Sequence, residues 1–496
     1  MLVTTSNSAP LANPDKFFIG GRWIAPLTNA KFDVISASTE ELLFQIAEAQ
    51  AGDINAAVMA AREAFDRGPW PRISHTERAT YLRRIAELVA TRADDLAKIW
   101  TGEVGVTHGL AQMTAQGVPA AYEYYASLAD SFPFEEQHKP RAGGNFGLLV
   151  REPVGVVGAI IPWNGPMLMI AYKLAPALLS GCTVILKASP EAPGEAYVMA
   201  EICEAAGLPK GVVNVVTADR AVSELLVRHP GVDKISFTGS SAAGKKIGAI
   251  CAERVARCTL ELGGKSAAVV LDDYDVEAAA QSISGSARLV TGQICAALTR
   301  IIVTRKHHDA LVDALSANFG SIKVGDPFKR STEMGPLATA RQRDRVEGYI
   351  AKGIAEGARV STGGGRPMAL SRGFFVEPTV FYNVDNAMTI AREEIFGPVI
   401  SVIPADNDRQ AIDIANDSDF GLNASIFTND PQRAYQASRE LKSGTVGHNS
   451  FRLDLSIAFG GFKQSGIGRE GGVEGLRPFL ETKTVILDGK PDHLQS

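Results

Sequence analysis

A chain of 496 residues spans about three ordinary domain lengths and can bury a large core, so a multidomain globular protein is expected. Its composition, 45% hydrophobic and 21% charged with 48 glycines, is that of a soluble α/β enzyme and excludes a disordered or fibrous chain. The net charge of −5, without a long run of either sign, leaves no electrostatic footprint for nucleic acid or an anionic membrane.

The opening stretch, 1–16, has neither a charged segment followed by an apolar one nor an Arg-rich amphipathic pattern. Together with only five cysteines, this predicts a cytoplasmic protein without a disulfide framework. No CxxC or His-rich spacing occurs, so no metal site is expected. Amphipathic runs at 54–65 and 76–92 make the N-terminal third read as mainly helical, with Tyr81, Leu82, Ile85, Leu88 and Val89 on one face. The least polar stretch, 153–186, is interrupted by Pro162, Asn164, Pro166, Lys173 and Pro176. These break a span of about 20 apolar residues, and a strand, a turn, a helix and a second strand are predicted instead.

From Thr183 the pattern alternates. A strand at 183–186 precedes a helix that Pro193 opens and that Gly207 and Pro209 end, with Val198, Met199, Ile202, Cys203 and Ala206 on one side. Segments 212–216, 221–228, 234–238, 242–256 and 259–262 continue the alternation, predicting a parallel sheet covered on both faces, a nucleotide-binding architecture. A second α/β unit follows, with strands at 301–304, 399–403, 424–428 and 445–448 and helices at 409–416 and 431–441. The units meet near Gly263 and Gly264, read as a tight hinge with the chemistry in the cleft between them.

Two glycine-rich patterns compete for attention. Gly239-Ser240-Ser241-Ala242-Ala243-Gly244-Lys245-Lys246 fits a P-loop until its last residue, where Lys246 replaces the hydroxyl needed to hold magnesium. A helix N-terminus that receives a pyrophosphate remains the better reading. Gly466-Ile467-Gly468-Arg469-Glu470-Gly471 matches GxGxxG but follows no clear strand, so a loop is expected.

The chemistry centres on Cys295 in Thr291-Gly292-Gln293-Ile294-Cys295-Ala296 and on the carboxylate of Glu261-Leu262-Gly263-Gly264-Lys265. A thiol is a strong nucleophile, and a nearby carboxylate can activate water. With Ile161-Pro162-Trp163-Asn164, Lys187-Ala188-Ser189, Phe237-Thr238-Gly239-Ser240, Glu394-Ile395-Phe396-Gly397-Pro398 and Phe459-Gly460-Gly461 in the same order, the chain resembles the NAD(P)-dependent aldehyde dehydrogenase superfamily over about 17–487. The fold this implies has a Rossmann-like cofactor domain (1–134 and 152–262), an α/β catalytic domain (263–478) and a small β flap for oligomerisation (135–151 and 479–496).

The resemblance implies that Cys295 attacks the aldehyde carbon, that Asn164 and the Cys295 N–H hold the oxyanion, and that Glu261 activates the water releasing a carboxylic acid. Lys173 and Glu481 stand either as proton relays or as ordinary interface charges. Cofactor contacts fall to Ile161, Pro162, Trp163, Lys187, Gly239, Ser240, Leu262, Glu394 and Phe396. The implied cofactor is NAD. NADP stays open because Pro190 stands where NAD-preferring members often carry a ribose-binding Glu, with Glu191 next to it as a substitute.

The implied substrate tunnel comprises Gly165, Met169, Tyr172, Ile294 and Phe451, which suit a bulky hydrophobic aldehyde. Tyr172 replaces the Arg that a carboxylate-bearing semialdehyde would favour, although Arg452 offers a cation nearby. Val290 replaces a common Asn with no evident consequence. The resemblance implies a homodimer or homotetramer joined through strands at 144–151 and 482–487, and a small-molecule substrate with no nucleic-acid or membrane partner. Alternatives are a CoA-acylating relative, a cofactor-free cysteine hydrolase or esterase, and a non-catalytic protein on this fold. Glu261 speaks against the first, the lack of a His near the nucleophile motif against the second, and the set of Cys295, Glu261 and Asn164 against the third.

Overall fold

The computed structural model describes residues 10–494; the first nine residues of the stretch read for a targeting signal lie outside them. Two sheets dominate. The first has eight strands in the order Arg22–Ile24, Phe17–Ile19, Val213–Thr217, Thr183–Ala188, Val156–Ile160, Lys234–Thr238, Arg257–Glu261 and Gly466–Ile467. Its five central strands are parallel, and β-branched and aliphatic side chains fill them because helices cover both faces. Their order places the first strand beside the fourth, so a topological switch lies at the carboxyl ends of Val156–Ile160 and Lys234–Thr238.

The second sheet has seven strands in the order Arg359–Thr362, Thr379–Tyr382, Val399–Ala405, Leu298–Thr304, Ser266–Val270, Asn423–Phe427 and Thr445–His448. All its pairings are parallel except the one at the Arg359–Thr362 edge. Gly263 and Gly264 connect the strand ending at Glu261 to the one beginning at Ser266. They need to be small: a Cβ on Gly264 would lie 2.2 Å from the Cys295 carbonyl oxygen. The hinge therefore touches the nucleophile loop.

A third sheet joins Leu480–Leu487, Phe146–Pro153 and Glu135–His138 in antiparallel register, with Glu481 opposite Glu152. The two strands expected at 144–151 and 482–487 thus pair with each other, and the open edges are Leu480–Leu487 and Glu135–His138.

The structure adds short strands to the mainly helical N-terminal third and corrects the loop expected at 466–471. The N-terminal third begins with strands at Phe17–Ile19, Arg22–Ile24, Lys31–Ile35 and Leu42–Ala47 before its helices Ala51–Asp66, His75–Thr91, Ala93–Val104, His108–Gly117 and Pro119–Ser131. The first two pair antiparallel and add to Val213–Thr217, a partner too distant in sequence for local periodicity to reveal. The Gly466–Gly471 run contains a two-residue strand, Gly466–Ile467, bonded to Leu260 and Glu261. That strand also returns the 263–478 segment to the first sheet, so the segment is not confined to the second.

Candidate active site

The nucleophile loop is a strained turn. Val290, Thr291 and Gly292 have φ of 49°, 55° and 71°, and such left-handed backbone at two non-glycine residues persists only when its surroundings over-determine it. They do. Thr291 Oγ1 donates to the Gly335 carbonyl at 3.0 Å, and buried Gln293 donates from Nε2 to the Val290 carbonyl and accepts from the Ala338 N–H. Asn423 Nδ2 donates to the Ala296 carbonyl at 3.1 Å, just past the thiol. Gly292 also packs against the other functional loop, since a Cβ there would lie 2.3 Å from the Gly397 carbonyl oxygen. Gly292→Ala is accordingly expected to cost more than about 2 kcal/mol of stability and most of the activity, as read by chemical denaturation and a turnover assay.

Cys295 is half-buried at the end of this turn. Burial, then the nearby Glu394 and Glu261 carboxylates, push its thiol well above the usual range, so the resting side chain is protonated. Cys182, Cys203 and Cys251 are buried in the first sheet and its helices; burial raises the Cys203 thiol to about 12.

Asn164 closes the turn that leaves strand Val156–Ile160. Its Nδ2 donates to the Gln293 carbonyl at 2.9 Å, which ties the amide to the Cys295 loop and leaves its second N–H able to donate elsewhere. The Trp100 indole N–H holds the Asn164 carbonyl at 3.1 Å. Helix Pro166–Ser180 follows, with half-buried Met169 and Tyr172 on it. The Tyr172 ring meets Tyr125 edge-on at 6.5 Å, while Ile294, Phe451, Leu453 and Leu455 pack with Cys295 around Ala296, Leu422 and Phe459. A Cβ on Gly165 would meet nothing within 4 Å. Leu453 and Leu455 escaped the sequence reading because they alternate with Arg452 and Asp454 in an irregular loop.

Glu261 ends strand Arg257–Glu261 at 2% exposure, and neither carboxylate oxygen has a hydrogen-bond partner within the protein. Burial and the neighbouring Glu470 raise its carboxyl well above the usual range, against the opposing pull of Lys173 and Arg469. Gly460 makes room for it: a Cβ there would lie 2.6 Å from Glu261 Oε1.

The carboxylate that faces Lys173 is Glu470, not Glu481. Lys173 and Glu470, both buried, form an ion pair, and Ser236 Oγ lies 3.3 Å from Lys173 Nζ and 3.4 Å from Glu470 Oε1. Glu481 instead pairs with Arg257 at the exposed surface, because its strand belongs to the flap. Glu470 was concealed within the GxGxxG-like run, where a single acid between Arg469 and Gly471 carries no local signal that it turns inward.

At the topological switch the remaining residues form a cradle. Lys187, near the end of Thr183–Ala188, is 7% exposed, and burial lowers its amine to about 8 against the pull of Glu191 and Asp219. Ile161 bonds to the Lys187 carbonyl beside Pro162. Ser240 caps helix Ser241–Glu253 by accepting from the Ala243 N–H, and Gly239 lies over the Phe237 ring, where a Cβ would come within 2.5 Å. Leu262 packs beneath Gly244.

Across the cleft, Glu394 Oε1 accepts the Gly264 N–H at 3.0 Å, and burial raises its carboxyl to about 7. Phe396, at φ 65°, meets the Trp163 ring edge-on at 5.4 Å. The Thr238 and Ser241 hydroxyls are buried without partners at the same helix start. A helix N-terminus, unpaired hydroxyls, a buried amine and a carboxylate fit the phosphates and ribose hydroxyls of a dinucleotide. Among the described residues no His, Cys, Asp and Glu cluster is placed to hold a metal ion, and no helix is long and apolar enough to cross a membrane.

Comparison with known proteins agrees with this geometry. The family model described as the aldehyde dehydrogenase family matches residues 23–485. A geranial dehydrogenase of Castellaniella defragrans is 44% identical over 95% of this chain and 98% of its own length. A Mycobacterium tuberculosis aldehyde dehydrogenase complexed with NAD+ superposes with a TM-score of 0.93 at 44% identity, covering 95% of this chain and 98% of that one. A Pseudomonas syringae aldehyde dehydrogenase C variant complexed with NAD+ and octanal gives 0.94 at 37% identity, covering 98% and 100%. The chain that folds the Cys295 turn, the Asn164 amide bonded to it and the unpaired Glu261 carboxylate into one cleft therefore belongs to the aldehyde dehydrogenase family.

Proposed function

We propose that this protein oxidises a hydrophobic aldehyde to its carboxylic acid through a thioester on Cys295, with NAD as the preferred cofactor. The observation that carries the reading is the convergence on one cleft of a half-buried thiol, an Asn164 amide with a free N–H, and a Glu261 carboxylate whose oxygens are both unpaired. The Cys295 thiol gives its proton to water in the cleft as the sulfur bonds to the carbonyl carbon; the carbonyl π pair moves onto oxygen, and Asn164 with the Cys295 N–H stabilises the resulting alkoxide. A bound nicotinamide supplies the hydride acceptor. Glu261 then takes a proton from water, whose oxygen attacks the thioester; the C–S bond breaks, the second water proton passes to the sulfur, and the product leaves as its carboxylate with the thiol restored. Lys173 and Glu470 lie behind Glu261, where they pass that proton onward; Lys173 keeps the relay role proposed for it, and Glu470 takes the one expected of Glu481.

Met169, Tyr172, Ile294 and Phe451 give the approach to Cys295 an apolar wall, and the space beside Gly165 admits a bulky chain. The geranial and octanal named for the two relatives are apolar aldehydes of this kind. Pro190 leaves the ribose to Glu191, whose oxygens are engaged by Ser189 Oγ at 2.5 Å and Arg341 Nη2 at 2.6 Å. A carboxylate in that position favours the free 2′-hydroxyl of NAD, and Arg341 beside it keeps NADP as the second cofactor.

The three sets of residues serve as cofactor domain, catalytic domain and oligomerisation flap, and the open edges at Leu480–Leu487 and Glu135–His138 suit a homodimer or homotetramer. Five unpaired cysteines suit the cytoplasm. The test is absorbance of reduced nicotinamide with NAD and NADP against aliphatic, terpenoid, aromatic and carboxylate-bearing aldehydes, with and without CoA. Highest kcat/KM with NAD and an apolar aldehyde, indifferent to CoA, is expected; reduction only in the presence of CoA would replace hydrolysis by acyl transfer.

A further inference from the structure

Helix Pro166–Ser180 begins without the usual means of satisfying its first N–H groups. Its N-cap is Gly165, which has no side chain to offer, and Pro166 at the first position has no N–H, so Met167 carries the first N–H needing a partner. That partner comes from another helix: Glu195 Oε2 in Gly194–Ala205 accepts the Met167 N–H at 2.8 Å. The residue before it, Gly194, donates its own N–H at 2.9 Å to Glu103 Oε1 in helix Ala93–Val104. One turn earlier on that helix, Trp100 holds the Asn164 carbonyl.

The contacts close a ring. Asn164 leads through Gly165 and Pro166 to Met167, then by hydrogen bonds through Glu195, Gly194 and Glu103, and back along the helix to Trp100 and Asn164. Both carboxyls are deeply buried, at 1% exposure for Glu103 and 2% for Glu195. Packing at the junction is close, since a Cβ on Gly194 would lie 2.7 Å from Ile99 Cγ2 and 2.9 Å from Glu103 Oε1. Among the described residues neither carboxyl has an ion-pair partner, so their burial is a cost that the hydrogen bonds to Gly194 and Met167 offset only in part.

We propose that Glu195 is a positioning residue for the oxyanion site: it caps, from a neighbouring helix, the chain that Gly165 leaves uncapped, and with Glu103 and Trp100 it fixes the direction of the Asn164 amide. The arrangement reconciles two demands on one turn. A side chain at Gly165 able to cap the helix would fill the open space next to Asn164, whereas Glu195 supplies the acceptor from helix Gly194–Ala205 and leaves that space free. Burial raises the Glu195 carboxyl to about 8 and that of Glu103 well above the usual range, so near pH 7 Glu195 is neutral and accepts through its carbonyl oxygen. A glutamine carries the same acceptor.

The inference rests on Asn164 as the oxyanion donor, and the experiment separates the two claims. Single-turnover nicotinamide reduction near pH 7 is compared in the wild type, Glu195→Gln, Glu195→Leu, Asn164→Ala and the Asn164→Ala/Glu195→Leu double variant. Asn164→Ala should lose on the order of 10²-fold in rate, and Glu195→Leu roughly tenfold with an unchanged KM for the cofactor. Glu195→Gln should stay within about twofold of the wild type, and the double variant within about twofold of Asn164→Ala alone, because the second change acts through the first. Losses that multiply, or a Glu195→Leu rate equal to the wild type, would overturn the proposal. A normal Asn164→Ala rate would instead overturn the role of Asn164 itself. Should Glu195→Leu fail to fold, Trp100→Phe removes the other end of the ring: a slowed rate that does not multiply with Asn164→Ala supports the proposal, and an unchanged rate contradicts it.

Discussion

Cys295→Ala is expected to abolish both the single-turnover formation of reduced nicotinamide and steady-state oxidation, with kcat falling by ~10⁴-fold or more. The expectation follows from the loop. The left-handed run at Val290, Thr291 and Gly292 and the hydrogen bonds of Gln293 and Asn423 present one thiol to the cleft. Cys182 and Cys203 are fully buried among the apolar side chains that pack on the first sheet, and Cys251 and Cys258 lie side by side on helix Ser241–Glu253 and strand Arg257–Glu261. None of these can replace it, so Cys258→Ser should oxidise aldehydes at close to the wild-type rate. Folding of Cys295→Ala should be intact, since the loop is held by backbone and Gln293 contacts that the sulfur does not make, and its cofactor affinity should persist. Stopped-flow absorbance together with a dinucleotide-binding titration distinguishes loss of chemistry from loss of the site.

Glu261→Gln should have a different signature: one equivalent of reduced nicotinamide per active site forms at close to the normal rate, and turnover then falls by ~10²- to 10⁴-fold. The carboxylate contributes after hydride has left, when water must attack the thioester. The same variant removes a pH dependence. Burial and Glu470 raise the Glu261 carboxyl, so a larger fraction is protonated near neutrality than for an ordinary Glu. Only the ionised form accepts a proton from water, and thioester hydrolysis in the wild type should therefore climb as pH rises through this elevated value. In Glu261→Gln that rise should vanish, leaving a slow attack by neutral water that does not change with pH through this range. A rise that persists in the variant would assign the base elsewhere.

How much of this was legible in the sequence depended on whether the signal was local. The parallel strands and helices from Thr183 to Glu261 were readable because each strand is a short run rich in apolar and β-branched residues, set off from the next helix by Pro, Gly or a capping residue. Phe17–Ile19 and Gly466–Ile467 were not, because such short strands acquire their identity only from Val213–Thr217 and Arg257–Glu261. Ser266–Val270, with its alanines, and the Arg359–Thr362 edge were likewise too weakly patterned to stand out.

The same division runs through the site. Cys295, Glu261 and Asn164 announced themselves by motif, and the structure brings their segments together through Gln293 and Gly264. Glu470 and Glu481 are both acids near the C-terminus, and only the fold shows which one turns inward to Lys173 and which is carried outward on the flap. The support by Glu195 and Trp100 was invisible for the same reason, since no local pattern marks a side chain that caps a helix other than its own.

The most direct test of the central claim, that Cys295 carries the acyl group and Glu261 releases it, is mass spectrometry of Glu261→Gln quenched in acid after one turnover with NAD and an apolar aldehyde. The account predicts a peptide containing Cys295 heavier by the aldehyde less two hydrogens, labile to hydroxylamine, with the other cysteines unmodified. Reduced nicotinamide formed in stoichiometric amount with Cys295 unmodified would contradict it.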